Sequence, residues 1–248
     1  MFARGKNIIE LSSINRSKDP EAVMAELDRW VANQGNGQYV PSDVDPYWFK
    51  DPLALGPDYG IQQVRSELTE FVEEIIKRKI SGITLEIGLG KHGSTHFLWR
   101  QLFDRVITIE RNFDRCTDFA TAFCDFSNTD WQSIEKHSGF IAEESSKITA
   151  VGRAYDALTQ QKVGLLFIDG DHGLQGVLCD WLLYHNLVKP NGIVAFHDVV
   201  QENTGLENNA VPKFLEKLQS GEIDGKIYNL HKIVHSCFGI SFYVVEGN

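Results

Sequence analysis

One junction constrains this chain more than any other stretch. The apolar run Ile83-Thr84-Leu85-Glu86-Ile87 ends in Gly88-Leu89-Gly90-Lys91-His92-Gly93 and then enters a helical pattern, Ser94 to Phe103. Gly88, Gly90 and Gly93 form a G-x-G-x-x-G placed directly after a strand and before a helix. Glycines there allow a tight turn and let a ligand lie against bare backbone. A second apolar strand follows, Arg105 to Ile109, and Glu110 stands at its end, 20 residues after Gly90. An acid at that place can accept both ribose hydroxyls of an adenosine. Two strands joined through a helix must lie parallel, so this one unit commits the chain to a parallel sheet with helices on its faces.

The remaining pattern extends the unit. Ile61, Val64, Leu68, Phe71, Val72, Ile75 and Ile76 recur at helical spacing up to the basic Lys77 to Lys79, which suits a helix C-terminus. Val163 to Ile168 reads as a buried strand, Leu174 to Leu187 as a helix, and Pro190-Asn191-Gly192 turns the chain into a strand over Ile193 to Phe196. The end changes rhythm: a helix from Val211 to Leu218, a strand near Lys226 to Leu230 and a last strand, Ile240 to Val245. The connection between those two strands is too short for a crossover helix, so they pair antiparallel. The expected fold class is α/β, doubly wound and mostly parallel, with an antiparallel C-terminal pair.

Residues 1–60 read as a separate N-terminal unit ahead of a domain over 61–248. Asp19 caps a helix that has Pro20 at its first position and Val23, Leu27, Trp30 and Val31 on one face, and Gly35 stops it. The stretch Gly35 to Gly60 carries Tyr39, Tyr47, Trp48, Phe49 and Tyr59. It is either a strap padding the core or a lid over a ligand pocket.

Charge and cysteine usage narrow the function. With 34 acidic and 24 basic side chains the formal charge is −10, and no basic tract is present. Nucleic acid is therefore not the expected partner, because phosphate binding draws on clustered Lys and Arg. Cys116, Cys124, Cys179 and Cys237 form no C-x-x-C pair, which argues against a disulfide framework or a zinc knuckle. The start lacks a signal-peptide core and no apolar run approaches about 18 residues, so the expectation is a cytoplasmic protein without a membrane partner.

Two cofactors compete for the glycine turn. A nicotinamide dinucleotide would set its pyrophosphate on the helix N-terminus, where a neighbouring anion is unwelcome. Glu86 stands just before the glycines and suits a ligand with positive charge; S-adenosylmethionine carries an ammonium and a sulfonium and no phosphate. The sequence here resembles the class I S-adenosylmethionine-dependent methyltransferases, whose first motif is E-x-G-x-G-x-x-G. Phe167-Ile168-Asp169-Gly170-Asp171-His172, Pro190-Asn191-Gly192 and Ala195-Phe196-His197-Asp198 are similar to the bacterial family of macrolide-sugar O-methyltransferases and cephalosporin-hydroxylase-like proteins. The resemblance covers about Ile61 to Val200 and the final strands. It implies a seven-stranded sheet of the Rossmann-like methyltransferase type. It also implies that Glu86, Gly88 and Gly90 form the cofactor-methionine turn, that Gly93 opens the next helix, and that Glu110 binds the ribose. The stretch matching the family's adenine-contact motif is Ala142-Glu143-Glu144-Ser145, which places Glu144 and Ser145 near the adenine.

The chemistry needs alignment of an acceptor with the methyl carbon and, for a hydroxyl acceptor, removal of a proton by a base or by a metal that lowers its pKa. Asp169 ends one central strand, and His197 and Asp198 end its neighbour, at the edge where ligands bind in open α/β sheets. In metal-dependent relatives these three positions hold a divalent cation such as Mg²⁺ or Mn²⁺, generally through acidic or amide side chains. His197 departs from that pattern, and since imidazole suits Mn²⁺, Fe²⁺ or Zn²⁺ better than Mg²⁺, either the metal differs or His197 does not bind it. The bland alternative has both acids capping loops and orienting His197. His172, by its match in the macrolide-sugar enzymes, is the general base beside Asp169, with Asp171 orienting it; otherwise it is a loop histidine bonded to Asp171 or to backbone. The polar loop Val199 to Asn209 and the aromatic strap are the expected acceptor surface. The expected function is methyl transfer from S-adenosylmethionine to a hydroxyl oxygen of a small molecule, a glycoside or other secondary metabolite. An NAD(P)-dependent oxidoreductase and a non-catalytic S-adenosylmethionine-binding protein are the alternatives. Assembly as a homo-oligomer stays open.

Overall fold

The computed structural model describes residues 16–34, 63–90, 93–111, 136–200, 209–235 and 238–247. The aromatic strap, Lys91, His92 and the middle of the loop after Val200 lie outside the described residues, as do the side chains of Trp30 and Val31.

Among the described residues seven strands form one sheet in the order β3-β2-β1-β4-β5-β7-β6. They are β1 (Ile83–Ile87), β2 (Arg105–Glu110), β3 (Ser138–Ala142), β4 (Val163–Ile168), β5 (Val188–His197), β6 (His231–Ile233) and β7 (Ile240–Val244). Pairing is parallel from β3 to β5, and β7 runs antiparallel between β5 and β6. Every residue of β1 and of β4 is buried, as expected of parallel strands covered on both faces.

Successive side chains of a strand go to opposite faces, and two helical layers receive them. On one face α1 (Pro20–Gln34), α2 (Arg65–Lys77) and α3 (Ser94–Leu102) pack on Leu165, Phe167, Ile193, Ala195 and Phe242. On the other, α4 (Ile148–Leu158), α5 (Leu174–Tyr184) and α6 (Val211–Ser220) cover Leu85, Ile87, Leu166, Ile168, Val194 and Phe196. Helix α1 begins as its sequence dictates, with Pro20 at its first position and Asp19 Oδ1 accepting from Glu21 N. Its Val23, Met24 and Leu27 are fully buried in the same core as α3, so this helix packs into the first layer.

Three details depart from the sequence pattern. Strand β3 had no apolar run to announce it, being Ser-Gly-Phe-Ile-Ala at the sheet edge with only Ser138 and Ile141 buried. The strand expected near Lys226 to Leu230 is instead the three-residue β6. Tyr228 and Leu230 are apolar because they cover the second helical layer, Tyr228 meeting Trp181 edge-on at 5.6 Å. Pro190-Asn191-Gly192 lies inside β5 as an irregularity: Val163 pairs with Val188 and Leu165 with Ile193, so the residues between are extruded.

Candidate active site

The strand-to-helix turn needs its first glycine for steric reasons. Gly88 has φ +93°, and a Cβ there would fall 1.9 Å from the carbonyl oxygen of Asp169. Hydrogen bonds from Gly88 N to Ile109 O (2.9 Å) and from Asp169 N to Ile87 O (2.8 Å) tie the ends of β1, β2 and β4 together. Gly90 faces open space, with nothing within 4 Å of where its Cβ would be, and Gly93 stands at the N-cap of α3. Bare backbone is thus presented beside the sheet edge. Glu110 ends β2 and accepts a 3.0 Å hydrogen bond from Leu89 N, which brings its carboxylate to this turn. Glu144 and Ser145 follow β3; Glu144 is exposed, and Ser145 is tied to α5 through a 2.7 Å hydrogen bond from Tyr184 Oη to its carbonyl and through Asp180.

Glu86 is placed differently from an acid that greets a ligand. It alternates with Leu85 and Ile87 and so turns into the α3 layer, fully buried. Trp99 Nε1 donates to its Oε1 at 3.0 Å and Thr108 Oγ1 to its Oε2 at 2.6 Å. His96 continues the chain, Nδ1 on Thr108 at 2.7 Å and Nε2 on Ser138 at 3.0 Å. Burial pushes the Glu86 carboxyl up to about 8 against the pull of these hydrogen bonds. Burial likewise holds His96 well below the ordinary imidazole value, so it stays neutral.

The second group of residues gathers at the ends of β4 and β5. His172 Nε2 lies 2.7 Å from Asp198 Oδ2 and 3.8 Å from Asp169 Oδ1. His197 Nδ1 lies 3.2 Å from Asp169 Oδ1 and 3.1 Å from Asp198 Oδ2. Ligand atoms of Asp169, His172 and Asp198 fall within 4.8 Å of one another, a spacing that a single cation can bridge. His197 sits deeper, its ring beside Phe167 and Phe238, and its Nε2 is buried with no partner among the described residues. Asp171 turns away and caps its own loop through Gly173 N.

Electrostatics here is a matched set of charges. Burial would lower the pKa of His172, but the charges and hydrogen bonds of Asp169 and Asp198 lift it to about 10. His197 is raised well above its ordinary value by the same carboxylates, against burial. Both acids are held low by the histidines although burial opposes it. Asp198 also has φ +57°, a left-handed backbone that a non-glycine residue adopts only when its surroundings hold it. Asn209 supplies part of that hold, its Nδ2 donating to Asp198 O at 2.7 Å and to Val200 O at 3.2 Å. Ala210 N bonds His172 O at 2.8 Å, so the loop leaving β5 returns onto the site. Gln63, just before α2, donates from Nε2 to Asp169 Oδ2 at 2.9 Å.

Comparison with known proteins then bears on this geometry. Residues 85–199, from β1 to the end of β5, match the family model described as a methyltransferase domain. The O-methyltransferase from Bacillus cereus, solved with SAH, superposes with a TM-score of 0.52 at 17% identity, over 95% of this chain and 95% of that one. The O-methyltransferase TomG from Streptomyces achromogenes, involved in tomaymycin synthesis and solved with SAM, gives 0.52 at 15% identity, over 95% and 94%. No curated protein matches the chain in sequence. The matched segment thus contains both the glycine turn and the Asp169–His172–His197–Asp198 cluster, whereas Gln63 and Asn209 lie outside it.

Proposed function

We propose that this methyltransferase moves the methyl group of S-adenosylmethionine to a hydroxyl oxygen of a small molecule, a glycoside or other secondary metabolite. One observation carries the reading: the glycine turn and the acid–histidine cluster touch, since Asp169 N bonds Ile87 O and the Asp169 carbonyl abuts Gly88. A cofactor on the turn and an acceptor at the cluster would meet across that contact. In this reading Glu110 receives the ribose hydroxyls, the backbone of Gly88 and Gly90 lies along the methionine portion, and Glu144 and Ser145 border the adenine. Glu86 acts from beneath the turn, by fixing Trp99 and Thr108.

The cluster fits a divalent cation. Two carboxylates balanced by two imidazolium protons carry the same charge that a divalent ion would neutralise in their place, so loading exchanges protons for metal. Asp169 and Asp198 would hold the ion, which lowers the pKa of an acceptor hydroxyl. His172, relieved of its proton by that exchange, is at the exposed edge of the cluster and serves as base; His197 remains behind the carboxylates and orients them. The 4.8 Å grouping favours one further reading, in which His172 is itself a ligand. Imidazole beside two carboxylates suits Mn²⁺ better than Mg²⁺.

The test is transfer of a labelled methyl group from S-adenosylmethionine to a panel of hydroxylated glycosides. Label on acceptor oxygen, lost in excess chelator and restored by Mn²⁺ at least as well as by Mg²⁺, is the expected result. Label found on nitrogen or carbon contradicts the hydroxyl reading. Full turnover in chelator with no bound metal by elemental analysis contradicts the metal.

A further inference from the structure

Asp169 divides its two oxygens between two neighbourhoods. Oδ1 faces the histidines, while Oδ2 accepts from Gln63 Nε2 at 2.9 Å. Gln63 is 2% exposed, and its Oε1 is buried with no hydrogen-bond partner among the described residues. The orientation of the amide is not arbitrary. An ionised carboxylate only accepts, so the NH₂ half must meet Asp169 and the carbonyl must point elsewhere. A buried carbonyl without a donor is an arrangement that native interiors avoid unless something fills it.

What would fill it follows from charge and place. The amide carbonyl and Asp169 Oδ2 are neighbouring oxygen acceptors, and the backbone of that same Asp169 rests against Ile87 and Gly88 of the glycine turn. The best complement to neighbouring carboxylate and carbonyl oxygens is a cationic group with several N–H donors. We propose that Gln63 is a cofactor-recognition residue: its Oε1 accepts a hydrogen bond from the α-ammonium of S-adenosylmethionine or of its demethylated product, while its Nε2 keeps Asp169 Oδ2 engaged. The proposal rests on the cofactor assignment made above. It gives the segment before α2 a part in binding, and it explains how one aspartate serves the cofactor on one oxygen and the acceptor chemistry on the other.

Calorimetry on the full chain tests it with two probes, S-adenosylhomocysteine and 5′-methylthioadenosine, which keeps the adenosine but lacks the ammonium. Gln63→Leu should weaken S-adenosylhomocysteine about 10- to 100-fold, the usual effect of losing a hydrogen bond to a charged group, and leave 5′-methylthioadenosine unchanged. Gln63→Glu, which keeps an acceptor oxygen for the ammonium, should bind S-adenosylhomocysteine more tightly than Gln63→Leu. Equal weakening of both probes, or of neither, overturns the ammonium contact. A wild-type protein that binds no S-adenosylhomocysteine overturns the cofactor assignment itself and Gln63 with it. Thermal melts of each variant show that the fold is retained.

Discussion

His172 holds its proton more firmly than a free imidazole because Asp169 and Asp198 face it, and its pKa of about 10 means that at neutral pH it is a cation when the carboxylates have no other partner. A cation cannot accept a proton, so a base role depends on what neutralises those acids. Metal content and turnover separate the readings of this residue. If His172 is the base, His172→Ala lowers kcat by about 10²–10⁴-fold while elemental analysis still finds the bound metal. If it is a ligand, metal is lost along with turnover. Retention of more than about a tenth of wild-type kcat with metal present contradicts the base. That Asp169, His172, His197 and Asp198 come together was legible because their motifs put Asp169 and Asp198 one step beyond the ends of β4 and β5, His197 at the end of β5 and His172 in the loop that follows β4. Gln63 was not, because it reaches Asp169 from 106 residues away in a segment with no chemical pattern. Glu86 was legible as an important acid but not in its direction, which is set by its alternation with Leu85 and Ile87.

The unit made of β1, the glycine turn and α3 has Glu86 as its internal clamp. The carboxyl is raised by burial from 4.5 to about 8, so the folded protein keeps a proton that the unfolded chain releases. Stability therefore falls as pH rises from about 4.5 to about 8, because the unfolded state binds fewer protons over that interval. Glu86→Gln should remove this fall, worth roughly 1–4 kcal/mol between pH 5 and pH 8 in urea melts. Parallel pH profiles for variant and wild type would contradict the clamp. Elements with long apolar runs, such as β1 and β4, were plain in the sequence because both of their faces are buried. Strand β3 was not, since an edge strand carrying Ser138 and Gly139 buries too little to leave a pattern. The strand misplaced at Lys226 to Leu230 shows the converse: its apolar residues serve the packing against α5, and pairing begins only at His231.

At the scale of the whole molecule, the parallel sheet and its antiparallel end followed from connection lengths, whereas the strand order came only from the structure. Among the described residues no helix is long and apolar enough to cross a membrane. The acceptor is the part least legible, because the strap and the loop after Val200, where its surface was expected, lie outside the described residues. The cofactor assignment supports all else and can be tested without knowing the acceptor. Calorimetric titration of the wild-type chain with S-adenosylhomocysteine and, separately, with NAD is the direct measurement. One S-adenosylhomocysteine per chain, weakened by about 1.5–3 kcal/mol in Glu110→Ala, with no heat from NAD, is the predicted result; binding of NAD in its place, or an affinity for S-adenosylhomocysteine indifferent to Glu110, would contradict it.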